Sequence, residues 1–443
     1  MATKKKKTLQ KTPRKKAVSR KSAQSDACAS VRGMQDILPK DGHLWQEVIR
    51  KGFEVSDLHD FYYTETPPIE KMEIYSFLED KERDFELKRL YAFSLKGQGK
   101  MILRPGGRIP LLRSYHEHHL GYFSSPLKTF SFGAMVRRPT SRSQHSHEMH
   151  EWGFNIIGEA SDPFYDVSVL GVTLQFLRNL KISDVSVAVN MGGCRTCREQ
   201  YRHKLRSHYN SHKKKLCNSC SKLYEKRTFK CFRCLQEKCQ EIKASAPIIL
   251  DYLCQSCNNH FKTLLELFED NGLVYEPDPY LFNDFEGCNK AAISVRLKTG
   301  EEIARGGRYD YLMESLCGRQ VPVVGMSVNL DLVVSLMKER GTKVRKLEKV
   351  FFIAVGEKAK KRSIKLINML RECNIGVAES IGKKSLKAQL KAAEKSRVKV
   401  AVIVGQKEVF EETAIIRNLE TGAQESVVLD KLLERVRRNL KKS

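Results

Sequence analysis

Apolar and polar positions follow one pattern over most of the chain and another over its last hundred residues. In the first part, "LYAFSLKGQGKMILRPGG" gives two β-rich runs around Gly97 and Gly99, a hairpin. "LKTFSFGAMVRRP" and "HEWGFNIIGEA" read as two further strands separated by a polar loop, Pro139 to Glu148. "VSVAVNM" is a strand, "AAISVRLKTGEEIARGGRYD" a hairpin and loop, and "PVVGMSVNLDLVVSLMKER" a strand running into a helix. "YYTETPPIEKMEIY" reads as a short strand broken by Pro67 and Pro68. Helices are expected at about Asp41–His59, with Leu44, Val48, Phe53 and Val55 on a loose apolar face, and at about Phe261–Asn271. A third, at about Asp166–Leu180, has Val167, Leu170, Leu174 and Leu177 on one side. Mostly antiparallel strands mixed with helices is an α+β pattern. Beyond the charged stretch Glu339–Lys349 the strands become near-continuous apolar runs, "KVFFIAV" and "VKVAVIVG". These alternate with helices over Lys358–Arg371 and Ser385–Lys395. That pattern predicts a separate small α/β domain with a mixed sheet.

With 443 residues the chain is too long for one core, and two or three domains are expected. No run of about 18 apolar residues exists, so no transmembrane helix is expected. The basic N-terminus lacks the apolar segment of a secretory signal, which points to the cytoplasm. The formal net charge is +27, and ten Lys and Arg with no acid fall in the first 21 positions. That opening segment has almost no apolar content and is expected to be disordered. The remaining chain still carries +17, so the folded body is basic too. Cations spread over tail and body suit nucleic acid, where neutralising phosphates releases counterions.

Of 13 cysteines, nine crowd between Cys194 and Cys257. Four C-x2-C pairs are present: Cys194/Cys197, Cys217/Cys220, Cys231/Cys234 and Cys254/Cys257, with Cys239 between the last two. Two intervening residues let one turn present both sulfurs to a tetrahedral ion, so zinc is expected. The pairs could fill two four-sulfur sites or one site with spare thiols. Lys and Arg are dense around them, with Tyr209, Tyr224, Phe229 and Phe232 interleaved, a mixture suited to RNA through phosphates and stacking.

Several of these stretches, in this order, resemble the histidyl-tRNA synthetase family of class II aminoacyl-tRNA synthetases. "RGMQDILP" at Arg32 is similar to the family's opening motif and "TPPIE" to the end of motif 1. "LRPGGR" stands where the family has Leu-Arg-Pro-Glu-Gly-Thr, and "FGAMVRRP" with "MHEWGFNIIGE" resembles motif 2. "RGGRYDYL" resembles the second histidine motif, and "VVGMSVNLDL" motif 3. "GKKSLKAQLKAAEK" resembles part of the anticodon-binding domain. The resemblance implies a tail (residues 1–30), a catalytic domain in two parts (31–190 and 259–342), a cysteine-rich insertion (191–258) and an anticodon-binding-like domain (348–443). It implies a six-stranded antiparallel catalytic sheet, homodimers through motif 1, and an insert approaching the tRNA acceptor arm. It also implies activation of histidine with ATP and magnesium for transfer to tRNA.

The ligand-facing positions depart from that pattern. Arg137 matches the motif 2 arginine and is the one retained phosphate-binding candidate. The following glutamate falls on Pro139, although a two-residue slip could put Arg138-Pro139 on the family's Arg-Pro. The loop arginines fall on His145 and His147, weaker phosphate partners than guanidinium forks. At motif 3, Asp331 replaces glutamate, and Leu332 stands where the resemblance implies an arginine on ATP. The Glu and Thr that would hold the substrate ammonium are Gly106 and Arg108, and an arginine there repels it. In "YLFNDFEGC" the arginine implied to act on the α-phosphate is Asn283. Asp284 replaces a glycine, and Gly287 and Cys288 replace two tyrosines. Glu151, in place of a glutamine, together with Gly306, Gly307, Arg308 and Tyr309, forms a remnant substrate set. Folding alone could preserve that glycine loop. The losses fall on charges that the transition state requires. They point to a synthetase-like protein that binds tRNA or structured RNA with lost or strongly reduced histidine activation. An active histidine–tRNA ligase is the alternative. A regulatory subunit of the ATP phosphoribosyltransferase type is a further one, ranked last because that relative lacks the C-terminal domain.

Overall fold

A computed structural model describes residues 28–79, 89–139, 146–225, 228–282, 289–344, 348–396 and 398–442. The N-terminal segment expected to be disordered, His145, and Asn283 to Cys288 lie outside the described residues. The chain divides into two compact units, Met1–Thr342 and Lys343–Ser443.

The first unit opens with α1 (Pro39–Leu58), started by a proline where a missing N–H costs nothing. Next come β1 (Tyr62–Tyr63), β2 (Ile69–Lys71), the hairpin β3 (Ala92–Leu95) and β4 (Gly99–Leu103), and α2 (Arg108–Glu117). The long pair β5 (Leu127–Val136) and β6 (Glu148–Ile157) leads to α3 (Phe164–Asn179) and β7 (Val185–Met191). The insert holds α4 (Arg195–Ser211), α5 (Asn218–Leu223) and α6 (Glu237–Ala244), and α7 (Gln255–Asp270) returns the chain to the sheet. The unit ends with β8 (Tyr275–Pro277), β9 (Asn289–Leu297), β10 (Glu302–Arg308), α8 (Asp310–Cys317), β11 (Val323–Asn329) and α9 (Leu330–Glu339).

Eight strands form one sheet in the order β1-β5-β6-β11-β10-β9-β7-β8. The six inner strands pair antiparallel, as the resemblance implied, and the short edge strands β1 and β8 add on in parallel. Alternation along each strand gives the sheet two unlike faces. One is a packed face. There Trp152 lies stacked between Phe130 and Phe132, with Phe154 and Phe176 beside it. Helix α1 comes so close that a Cβ on Gly52 would collide with the Trp152 ring. The other face carries Ser131, Gly133, Glu151, Gly153, Asn155, Gly325, Ser327 and Gly307, which lie opposite one another in register. Small and polar side chains leave a floor there.

The second unit has β12 (Lys349–Ala354), α10 (Glu357–Glu372), β13 (Gly376–Glu379), α11 (Leu386–Lys395), β14 (Val400–Val404), α12 (Gln406–Phe410), β15 (Thr413–Asn418), β16 (Gln424–Val428) and α13 (Leu432–Lys442). Its sheet runs β13-β12-β14-β15-β16, parallel for the first three strands and antiparallel for the rest. Phe352 and Val402 face one core, and Phe351 and Ile403 face another. Burial on both faces is why these strands read as continuous apolar runs.

Candidate active-site face and cysteine quartets

The family resemblance implies a substrate on the floor of the open sheet face, so each expected site residue can be placed against it. "RGGRYD" is divided by the sheet. Gly307 pairs with Gly325, and Arg305 with Ser327, on the open face. Gly306 and Arg308 pair with Met326 and Val324 on the packed face. A Cβ on Gly306 would strike Gly325 O and Met326 Sδ. Arg308 is fully buried and bonds Asp166 of α3 through Nε (3.1 and 2.9 Å) and Nη2 (2.5 Å). It also donates to Ala160 O (2.6 Å) and Asp162 O (2.7 Å), and His260 approaches Asp166 at 3.5 Å. Gly306 and Arg308 are therefore corrected from substrate residues to parts of the scaffold. The signal for Asp166 was in the sequence: one acid inside the apolar helix "FYDVSVLGVTLQFLRN".

Tyr309 and Arg108 do meet over the open face. The Arg108 guanidinium lies 3.8 Å from the Tyr309 ring centre. Its Nε donates to Asn155 Oδ1 (3.1 Å) and its Nη2 to Ser327 Oγ (3.4 Å). Only 4% of Arg108 is exposed, so a fixed cation occupies the place where the resemblance puts a neutral threonine. Asn155 and Ser327 were not foreseen, because a polar residue in the middle of an apolar strand says nothing about its partner. Glu151 is buried on this face, opposite Gly133 and Asn329. Arg137 follows β5 with Nη2 on Met149 Sδ (2.7 Å) and Nη1 on Pro105 O (3.5 Å). His147 bonds the Tyr91 hydroxyl, and Arg138 lies over the Tyr91 ring at 5.1 Å.

At motif 3, Asn329 caps α9 by accepting from Leu332 N (3.1 Å). Asp331 turns to His150, accepting from its backbone N (2.6 Å) and lying 3.1 Å from Nδ1. The hydrogen bond that the His150 ring gives to the Asp331 carboxylate raises the His150 pKa against the opposing effect of burial. A raised folded pKa gives stability that is fully present below the unfolded value of about 6.5 and is lost as pH rises through the folded value. Asp331→Asn should therefore lower the thermal midpoint most at acidic pH. The gap to wild type should close as pH rises past that window, measured by scanning calorimetry from pH 5 to pH 9 at roughly half-unit steps.

Two quartets of thiols assemble in the insert: Cys194, Cys197, Cys254 and Cys257, and Cys217, Cys220, Cys234 and Cys239. In each, all sulfurs lie within 4.8 Å of one another. Four sulfurs at about 2.3 Å from a zinc ion would be about 3.8 Å apart. Cys194 and Cys197 are 3.4 Å apart, Cys194 and Cys254 4.0 Å, and Cys217 and Cys234 3.7 Å. The donor sets fit such an ion. Cys194 and Cys254 are the N-cap residues of α4 and α7. Backbone N–H groups donate to Cys197 Sγ (3.1 Å) and Cys239 Sγ (3.3 Å). Burial opposes ionisation of Cys194, but amide and thiol hydrogen bonds bring its pKa down to about 7. The Cys220 amide and neighbouring thiols do the same for Cys217 against a smaller burial effect.

Cys231 is a correction. It is buried with its thiol toward Cys220 O (3.9 Å), and Cys239 from α6 takes the fourth place instead. Spacing alone could not choose between them, because the turn over Thr228–Arg233 points Cys231 into the insert's core. Tyr209, Tyr224, Phe229 and Phe232 are buried in that same core, so they cannot stack on bases from the surface. His203, Lys204, Arg206 and Lys213–Lys215 are exposed on α4 and the turn after it.

Comparison with known proteins agrees with this architecture, that of a class II synthetase catalytic unit followed by an anticodon-binding domain. The family model for histidyl-tRNA synthetase matches residues 33–333, and that for the anticodon binding domain matches 349–439. The chain belongs to the histidyl-tRNA synthetase family. It is 30% identical to the histidine–tRNA ligase of Natranaerobius thermophilus over 412 residues, 92% of this chain and 98% of that one. It is also 30% identical to that of Dehalococcoides mccartyi over 416 residues, 93% of this chain and 99% of that one. Among solved structures, the apo histidyl-tRNA synthetase of S. aureus superposes with a TM-score of 0.75 at 23% identity, covering 92% of this chain and 99% of that one. A Bacillus halodurans protein described as an ATP phosphoribosyltransferase regulatory subunit/histidyl-tRNA synthetase gives 0.62 at 17% identity. That match covers 85% of this chain and 98% of the other, and at such identity it shows the fold alone.

Proposed function

We propose that this protein is a cytoplasmic, homodimeric member of the family that binds tRNA or structured RNA and has lost, or kept only weakly, the activation of histidine. The observation that carries this reading is Arg108. Its buried guanidinium stands over Tyr309 and on Asn155 and Ser327, where a substrate ammonium would need a neutral or acidic partner. Leu332 reinforces it, since leucine supplies neither charge nor hydrogen bond to a nucleotide phosphate. Arg137 is the one motif arginine we assign to phosphate, and Glu151, Gly307 and Tyr309 remain as the pocket remnant. Zinc is our assignment for the quartets, and thiolate sites of this kind suit a reducing compartment.

RNA contact is supported by exposed cations on the insert and by Lys383, Lys384, Lys387 and Lys391 on and before α11, within the region matching the anticodon binding model. Exposed Tyr62, Tyr63, Tyr122 and Phe123 along the β1 edge offer an apolar surface for a second copy. Among the described residues no helix is long and apolar enough to cross a membrane.

The second reading is an active ligase, favoured by 30% identity to named histidine–tRNA ligases over almost the whole chain. It would require ATP and magnesium at the same face. Filter or anisotropy binding to tRNA separates RNA binding from inactivity of any kind. Affinity should fall by about a hundredfold between roughly 50 and 200 mM salt if about four phosphates are neutralised. No measurable binding at the lower salt would remove the RNA reading.

A further inference from the structure

The two quartets occupy different places in the chain. Cys194 and Cys197 lie where β7 leaves the sheet and α4 begins, and Cys254 and Cys257 lie where α7 starts back. This quartet ties the entrance of the insert to its exit. The other lies wholly inside the insert, around α5 and α6, against a core of Tyr209, Phe229 and Phe232.

Arg195, between the first two cysteines, reaches out of the insert to α8. Its two terminal nitrogens bond the two oxygens of Glu314 at 3.2 and 2.7 Å. Its guanidinium lies 4.4 Å from the Tyr311 ring centre, and its backbone N–H is 3.4 Å from the Tyr311 hydroxyl. Asp310, at the head of α8, accepts from Val323 N (2.9 Å) and Asn289 Nδ2 (3.2 Å). Beside the cysteines, Gly192 N donates to Lys290 O (2.5 Å), and Lys290 N donates to Gly193 O (3.2 Å). The junction quartet, α8 and the start of β9 thus share one set of contacts.

We propose that each quartet holds one structural zinc ion and that the two ions have separate tasks. The junction ion is a clasp that sets the insert against the catalytic unit through Arg195, and the inner ion builds the insert itself. A tetrathiolate zinc carries two net negative charges, which Arg195 and the dipole ends of α4 and α7 oppose.

The test uses the full chain purified under reducing conditions, with zinc measured by plasma mass spectrometry and backbone protection by hydrogen exchange. Wild type should hold two zinc ions per chain. Cys254→Ser should hold one and lose protection in α8 while α4 stays protected. Cys234→Ser should hold one and lose protection in α4 while α8 keeps it. Arg195→Ala, a surface change, should keep both ions and still speed exchange in α8 by several-fold to about tenfold. Fewer than two ions in wild type, identical exchange maps for the two cysteine variants, or unchanged α8 exchange in Arg195→Ala would each overturn the proposal. The proposal rests on the zinc assignment above, but none of these readings involves histidine or RNA, so its failure is distinct from failure of the RNA-binding reading.

Discussion

A histidine-dependent ATP–pyrophosphate exchange assay on the full chain should give no signal above its histidine-free control. An ordinary enzyme turns over at about 1–10³ s⁻¹. Removing one preorganised group that meets developing charge costs about 10²–10³ in rate. On the proposed reading, Leu332 removes one such group, and Arg108 opposes the substrate ammonium at another place. If the two act independently their effects multiply, to about 10⁴–10⁶. The exchange rate would then fall to or below what common assays detect. On that reading Arg137→Ala should change nothing in this assay, because its retained cation would have no reaction to serve. A histidine-dependent rate that Arg137→Ala abolishes would establish the ligase reading and end ours.

Arg308→Ala should be the most destabilising single change in the pocket motif, at about 3–5 kcal/mol. It would leave the Asp166 carboxylate buried without its bidentate partner, beside His260, and would orphan the carbonyls of Ala160 and Asp162. Urea denaturation should show the loss as a lower midpoint at an unchanged slope. Arg308→Lys should recover only part of it, since an ammonium cannot serve Asp166 and both carbonyls in the same fork geometry. A double change, Arg308→Met with Asp166→Leu, should cost far less than Arg308→Ala, because neither charge is then left alone. If Arg308→Ala unfolds at the wild-type midpoint, the pair is not holding β10 to α3. The survival of "RGGRYD" would then need a reason other than folding.

The contrast between these two arginines shows what was legible from residues alone. Both stand in glycine motifs that looked like parts of one pocket. Arg108 lies on the open face with Tyr309, and Arg308 lies on the packed face with Asp166. Alternation along a strand tells that neighbours point to opposite sides, but not which side is packed. Helices α7 and α1 show a similar limit. The apolar pattern located both, but α7 begins six residues earlier than expected, at Gln255, because its first turn, Gln255 to Asn259, is polar and shows no apolar periodicity.

The sequence by itself determined the α+β unit, the buried α/β strands that follow it, the family, and the two-residue spacing that prepares cysteines for a metal. These depend on local periodicity and on motif order, which a linear chain displays directly. Only the tertiary structure decided that Cys239 rather than Cys231 completes the inner quartet, that the insert's aromatics form a core, and that Arg308 belongs to the scaffold. Each of those is a contact between residues far apart in the chain or a choice of side across a sheet. Their energies come from burial and pairing, which exist only once the elements have packed.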